Sequence, residues 1–187
     1  MDTAATESLV LQHAPVRQGH FLLSSGMHSP AFLDLEPIIQ DPVLTATLVR
    51  PLVDRFREEE PHVVLAVLGP DAVLAFEVAR QLGARAMFAE GPIGRRSLRP
   101  AFKVKPGERV VVLIGVIVTG DSARELVRLA ESGGGRVIGV GVLIDRSGVR
   151  LEVGAPIEAL AVVDLETYLT PVCPLCAAGR PLERRLE

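Results

Sequence analysis

"RVVVLIGVIVTGDS", residues 109–122, decides the fold: an apolar, β-branched run meets a glycine turn and then a helix start. The run predicts a buried strand over 110–114, and the periodicity beyond it predicts a helix over 121–131. "GGG" (133–135) ends that helix, and "RVIGVGVLI" (136–144) supplies the next strand. The same unit stands upstream. "VVLAVL" (63–68) reads as a buried strand, Asp71 as the cap of a helix through Leu82, Gly83 as its stop, and "ARAMFA" (84–89) as another strand. Before these, Asp41 and Pro42 open an amphipathic helix carrying Leu44, Leu48, Leu52 and Phe56 on one face, with a kink expected near Pro51. Strands alternating with helices imply an α/β fold with a mostly parallel central sheet flanked by helices, and such sheets bind ligands at the carboxyl ends of their strands. The segment before about residue 40 and the tail after Val149 break the alternation and are expected to form a small hood.

Composition sets the outer bounds. The chain has 187 residues, 48% of them hydrophobic, and a net charge of −3, enough for one well-filled core, so residues 1–187 are expected to form a single domain. The near-neutral balance lacks the basic stripe of a nucleic-acid binder. The apolar run around Gly115 is far shorter than the ~20 residues of a membrane helix, and the first residues do not read as a basic stretch followed by an apolar one. These features predict a soluble, cytoplasmic protein with no membrane or nucleic-acid partner.

Three chemistries compete for the loop at 115–122. Gly115, Gly120 and Ser122 have the spacing of a nucleoside-triphosphate loop, but Asp121 stands where that loop needs lysine. Ser122 as a hydrolase nucleophile lacks a base, because His13, His20, His28 and His62 all precede it and no histidine follows. The third chemistry is anion binding, with Thr119, Gly120, Asp121 and Ser122 at a helix N-terminus, where backbone N–H groups and two hydroxyls converge. Taken alone, the loop reads more readily as an ordinary helix cap with no ligand, because such caps greatly outnumber anion sites.

Four segments in order, "GHFLLSSGMHSPAFLD" (19–34), "TGDS" (119–122), "LIDRSG" (143–148) and "CPLCAAGRPLE" (173–183), resemble orotate phosphoribosyltransferases of the type I phosphoribosyltransferase fold. The resemblance spans nearly the whole chain. It implies a Thr-Gly-x-Ser loop for the 5′-phosphate of phosphoribosyl pyrophosphate, here Thr119, Gly120, Asp121 and Ser122. An acidic pair would hold the ribose hydroxyls, and Mg²⁺ and basic residues would neutralise pyrophosphate. It also implies a base pocket served by Phe32 and by Arg146 of the Asp145-Arg146 pair, and a homodimer whose mobile loop completes the partner's site.

The chain departs from that pattern at one ligand. Ile114 and Gly115 stand at the acidic pair, Ser24 and Gly91 at basic positions, and Pro100 where a second base follows Arg99. "GPDA" (69–72) replaces a glycine-rich pyrophosphate turn. Arg95, Arg96 and Arg99 are the candidate catalytic cations that remain, and Mg²⁺ loses its expected acidic surroundings. The reading is a phosphoribosyltransferase-like protein with lost or weakened transfer that binds a pyrimidine nucleoside monophosphate or orotate. The alternatives are an active orotate phosphoribosyltransferase and a structural partner of an active paralogue.

Cys173 and Cys176 form a lone C-x-x-C. Half of a Cys₄ zinc site completed by a second subunit, a redox pair, and two reduced thiols packing a tail all fit one such pair. The sequence reading takes the thiols as reduced and structural, with no zinc and no metal ligand assigned.

Overall fold

A computed structural model describes residues 3–184. In chain order the elements are α1 (Thr3–His13), β1 (Val16–Leu22), β2 (His28–Leu33), α2 (Glu36–Ile39), α3 (Pro42–Phe56), β3 (Val63–Val67), α4 (Pro70–Leu82), β4 (Arg85–Glu90) and β5 (Ser97–Leu98). There follow β6 (Arg109–Ile117), α5 (Asp121–Ser132), β7 (Arg136–Asp145), β8 (Ile157–Val162), α6 (Pro174–Ala177) and β9 (Glu183–Arg184). The main sheet runs β5-β4-β3-β6-β7-β8, parallel throughout except for the short antiparallel edge strand β5.

Strand β6 lies inside that sheet, and its alternation sorts the core onto two faces. Val110, Val112 and Ile114 pack with Ala123, Leu126 and Ala130 of α5. Val111 and Leu113 meet Leu48 and Leu52 of α3 and Leu74 and Val78 of α4. Both faces are covered, which is why the strand reads as a continuous apolar run.

The local signals hold with instructive exceptions. Asp41 caps α3 as expected, its carboxylate accepting from the N–H groups of Val43 at 2.9 Å and Leu44 at 3.1 Å. Helix α3 runs through Pro51 to Phe56, the full stretch expected of it. The carbonyl that Pro51 leaves without its donor belongs to Thr47, on the exposed flank, where water can serve it. Asp71 does not cap α4. Gly69 holds the cap position with φ 145°, and Asp71 Oδ1 instead accepts from Gly115 N–H on β6 at 3.0 Å.

The hood is smaller than expected. It is a three-stranded sheet, β2-β1-β9, in which the β1–β2 hairpin is antiparallel and the tail strand β9 adds in parallel to β1. Residues 157–162 do not belong to it: β8 extends the main sheet beside β7, and α1 packs against β8. The apolar residues of β8 put Leu160 and Ala161 into the same core as α3, so burial overrode the break in alternation. No helix among the described residues is long and apolar enough to cross a membrane.

Candidate functional site

The carboxyl ends of β3 and β6, the first turns of α4 and α5, and the hood enclose a cavity of about 310 Å³. Ser24, Phe32, Asp34, Glu36, Asp71, Arg96, Ile114, Ser122 and Arg184 are among its lining. This is the sheet end at which open α/β folds hold ligands.

The loop expected to take a phosphate is present, with its polar groups partly used. Gly120 sits at φ 79° and forms the N-cap of α5, a left-handed conformation that favours glycine. Thr119 Oγ1 donates to Asp121 Oδ2 at 2.6 Å, and Arg124 donates to Asp121 Oδ1 at 2.7 Å and to the Thr119 carbonyl at 2.9 Å. The Thr119 hydroxyl, and then Arg124, hold the Asp121 carboxyl below the usual carboxylate range. An ionised side chain thus already stands at the positive end of the helix, and Ser122 is the hydroxyl of the loop that reaches the cavity wall.

At the end of β6, Ile114 is 3% exposed and packed among apolar side chains. Gly115 is occupied from outside. A Cβ there would lie 2.6 Å from Asp71 Oδ1 and 2.6 Å from Leu35 Cδ1. The space a side chain at 115 would enter is filled by the carboxylate of α4.

Of the three candidate cations, only Arg96 reaches the cavity. Its guanidinium lies 3.4 Å from Glu125, with side-chain exposures of 6% and 12%. Burial pulls the Arg96 pKa down from its usual value, against the opposing charges of Glu125 and Asp71. Glu125 also accepts from the N–H groups of Gly94 at 3.1 Å and Arg96 at 3.0 Å, so the 91–101 loop is tied to its own α5. Arg99 donates to Glu90 at 2.8 Å, and Arg95 is exposed. Gly91 has φ 106°, and a Cβ there would meet the Arg95 carbonyl at 2.9 Å, so this closed turn leaves no room for the side chain expected at that position.

The two base-pocket candidates part company. Phe32 lines the cavity, with Phe21 behind it at a ring-centroid distance of 5.6 Å. Arg146 is 2% exposed and does not line the cavity; its guanidinium donates to Ser29 Oγ at 2.8 Å and to the Ala31 carbonyl at 3.2 Å. It fastens the hood strand that carries Phe32. Sequence reasoning missed Arg184, which the tail strand brings to the cavity, and Asp71 and Glu125 as partners of β6 and the loop. It also missed His20 and His28, which lie beside Cys173 and Cys176.

No family model matches the chain. Curated relatives do. Orotate phosphoribosyltransferase of Caldanaerobacter subterraneus subsp. tengcongensis is 41% identical over 167 residues, covering 89% of this chain and 88% of the relative. Orotate phosphoribosyltransferase of Thermus thermophilus is 42% identical over 167 residues, covering 89% and 91%. Among solved structures, orotate phosphoribosyltransferase of Aeropyrum pernix matches with a TM-score of 0.65 at 22% identity, covering 84% of this chain and 93% of its own. Adenine phosphoribosyltransferase of Rhodothermus marinus matches at 0.67 and 22%, covering 86% and 99%. These two likenesses show the type I phosphoribosyltransferase fold. A cavity at the end of a parallel sheet, covered by a hood and lined by Ser122 of the Thr-Gly-Asp-Ser turn, together with this extent of identity, places the chain in the orotate phosphoribosyltransferase family.

Proposed function

We propose that this chain is a ligand-binding member of its family, a cytoplasmic homodimer whose cavity takes a pyrimidine nucleoside monophosphate or orotate and in which phosphoribosyl transfer is lost or strongly weakened. One observation carries the reading: buried Ile114 and the closed-off Gly115 stand where the resemblance calls for an acidic pair. As pyrophosphate leaves, positive charge grows on the sugar, and two acceptors for the ribose hydroxyls would be missing. Each charge-assisted hydrogen bond contributes about 1.5–3 kcal/mol, so the pair accounts for roughly two to four decades of rate.

The cavity's charges support the same conclusion. Asp34, Glu36 and Asp71 oppose Arg96 and Arg184 along the wall, a poor match for a pyrophosphate bearing several negative charges. Mg²⁺, which the family implies, finds a poor set of oxygens at the starts of α4 and α5. Asp71 is turned to Gly115 N–H, and Asp121 is bound by Thr119 and Arg124, so neither acid of the two helix starts presents an open oxygen set. A ligand with one terminal phosphate would meet the α5 turn through Gly120 and Ser122, with Thr119 released from Asp121. Phe32 would cover the base, and Arg146 would position Phe32 through Ser29 and Ala31. Exposed Val16, Leu169 and Val172 on the hood and tail support a second copy as cover, which light scattering checks against a monomer.

A second reading, an active transferase with rearranged groups, is favoured by the Asp71 carboxylate, which reaches the space that a side chain at 115 would have filled. The experiment that separates the two is orotate-dependent pyrophosphate release from phosphoribosyl pyrophosphate and Mg²⁺. The proposal expects a rate at least about a hundredfold below that of a family member carrying the acidic pair, assayed alongside. Comparable rates would establish the second reading.

A further inference from the structure

Four side chains outside the cavity converge where the tail crosses the hood. His20 comes from β1, His28 opens β2, Cys173 is the N-cap of the single turn of α6 and Cys176 lies within that turn. One ligand atom from each lies within 4.8 Å of the others. We propose that His20, His28, Cys173 and Cys176 form a tetrahedral site for zinc(II), which clips the C-terminal tail to the hood. The site goes beyond the proposed ligand of the cavity and stands or falls separately from it.

The distances carry the argument. Zinc bonds to nitrogen at about 2.0–2.1 Å and to thiolate at about 2.3 Å, so tetrahedral ligands lie about 3.3 Å apart for two nitrogens and about 3.5–3.6 Å for nitrogen and sulfur. Here His20 Nε2 and His28 Nδ1 are 3.0 Å apart. Cys173 Sγ and Cys176 Sγ are 3.6 and 3.7 Å from His20 Nε2, and Cys176 Sγ is 3.3 Å from His28 Nδ1. Neither cysteine is in a disulfide.

The surroundings fit a metal as well. His20 Nδ1 lies 2.9 Å from the Arg180 carbonyl, an acceptor that fixes the proton on Nδ1 and turns the Nε2 lone pair inward. His20, His28 and Cys173 are each 3% exposed, so the donors are removed from water before any cation arrives. Two thiolates and two imidazoles suit zinc and exclude the oxygen-seeking Mg²⁺ and Ca²⁺. Both histidines come from one hairpin and both cysteines from the tail, so the cation would bridge segments about 150 residues apart in sequence. The same tail then pairs β9 with β1, with Arg184 opposite Leu22, and puts Arg184 on the cavity wall. The clip therefore holds one of the cavity's two lining arginines in place.

The test is metal content by atomic emission, followed by cobalt(II) titration of the reduced, chelator-stripped chain. The proposal expects one zinc per chain as purified and one cobalt taken up, with the intense visible bands of tetrahedral cobalt and a thiolate charge-transfer band that added zinc abolishes. Cys176→Ser, at the exposed corner of the site, should weaken the charge-transfer band and lower cobalt affinity at least about tenfold. Hydrogen exchange across 173–184 should slow when metal is added to the stripped chain. No stoichiometric cobalt uptake by a folded, reduced chain would overturn the proposal. Weak octahedral bands that Cys176→Ser leaves unchanged would overturn it too, as would isolation of the chain as a metal-free Cys173–Cys176 disulfide. If Cys176→Ser fails to fold, the titration of the unaltered chain decides alone.

Discussion

Replacing Glu125 with alanine should release the 91–101 loop and with it Arg96. Glu125 accepts from two backbone N–H groups, of Gly94 and Arg96, and pairs with the Arg96 guanidinium, and both side chains are nearly shielded from water. Each bond to the carboxylate contributes about 1.5–3 kcal/mol while it stays buried. The freed loop can hydrate its N–H groups and its arginine, so the sum overstates the cost. A net loss of roughly 2–3 kcal/mol follows, or about 5–10 °C in Tm for a chain of this size. Glu125→Gln keeps one acceptor without the charge and should fall between the two. Thermal unfolding gives the first readout, and the rate of tryptic cleavage after Arg95 and Arg96 gives the second, since a detached loop is cut from the native state. A loss under about 1 kcal/mol with unchanged cleavage would show that Glu125 does not hold the loop.

Gly115→Asp should destabilise by about 1–3 kcal/mol, because its Cβ would meet Asp71 Oδ1 and Leu35 Cδ1 at 2.6 Å. Combined with Asp71→Ala, its cost in urea unfolding should fall well below the sum of the single changes, whereas additive costs would mean the two positions do not share that space. The pair Ile114→Glu and Gly115→Asp should not restore orotate transfer, and recovered pyrophosphate release would show that Arg96 already serves the leaving group. For Asp121, whose folded pKa is lowered, the stabilisation is present above the unfolded value of about 3.9 and is lost as pH falls through the folded value. The stability gap between the unaltered chain and Asp121→Asn should therefore close on acidification below about pH 4; a gap that widens there would reverse the assignment. Arg146→Ala should cost about 2–3 kcal/mol and speed hydrogen exchange across 28–33, because Ser29 and Ala31 lose its guanidinium, and unchanged exchange would refute that anchoring.

How much was legible in the sequence follows from the range of each signal. The βαβ pattern is written in neighbouring residues, and the strand expected over 110–114 and the helix over 121–131 appear as β6 and α5, with β6 running on to Ile117. The hood's extent was not, because β8 is assigned by what covers it and not by its own periodicity. Asp71 looks like a helix cap to any local rule; only the approach of β6 turns its carboxylate onto Gly115 N–H. Arg146 matches a motif for base contact, yet burial under β2 commits it to Ser29 and Ala31. The C-x-x-C pair was visible as two candidate ligands, while His20 and His28 become its neighbours only after a tail some 150 residues away folds back.

Isothermal titration calorimetry with orotidine monophosphate and with phosphoribosyl pyrophosphate, each with and without Mg²⁺, tests the central claim most directly. The account predicts that orotidine monophosphate binds with an affinity indifferent to Mg²⁺, and that phosphoribosyl pyrophosphate binds at least about tenfold more weakly and gains little from the cation. Tight, Mg²⁺-dependent binding of phosphoribosyl pyrophosphate would contradict it and identify a working transferase.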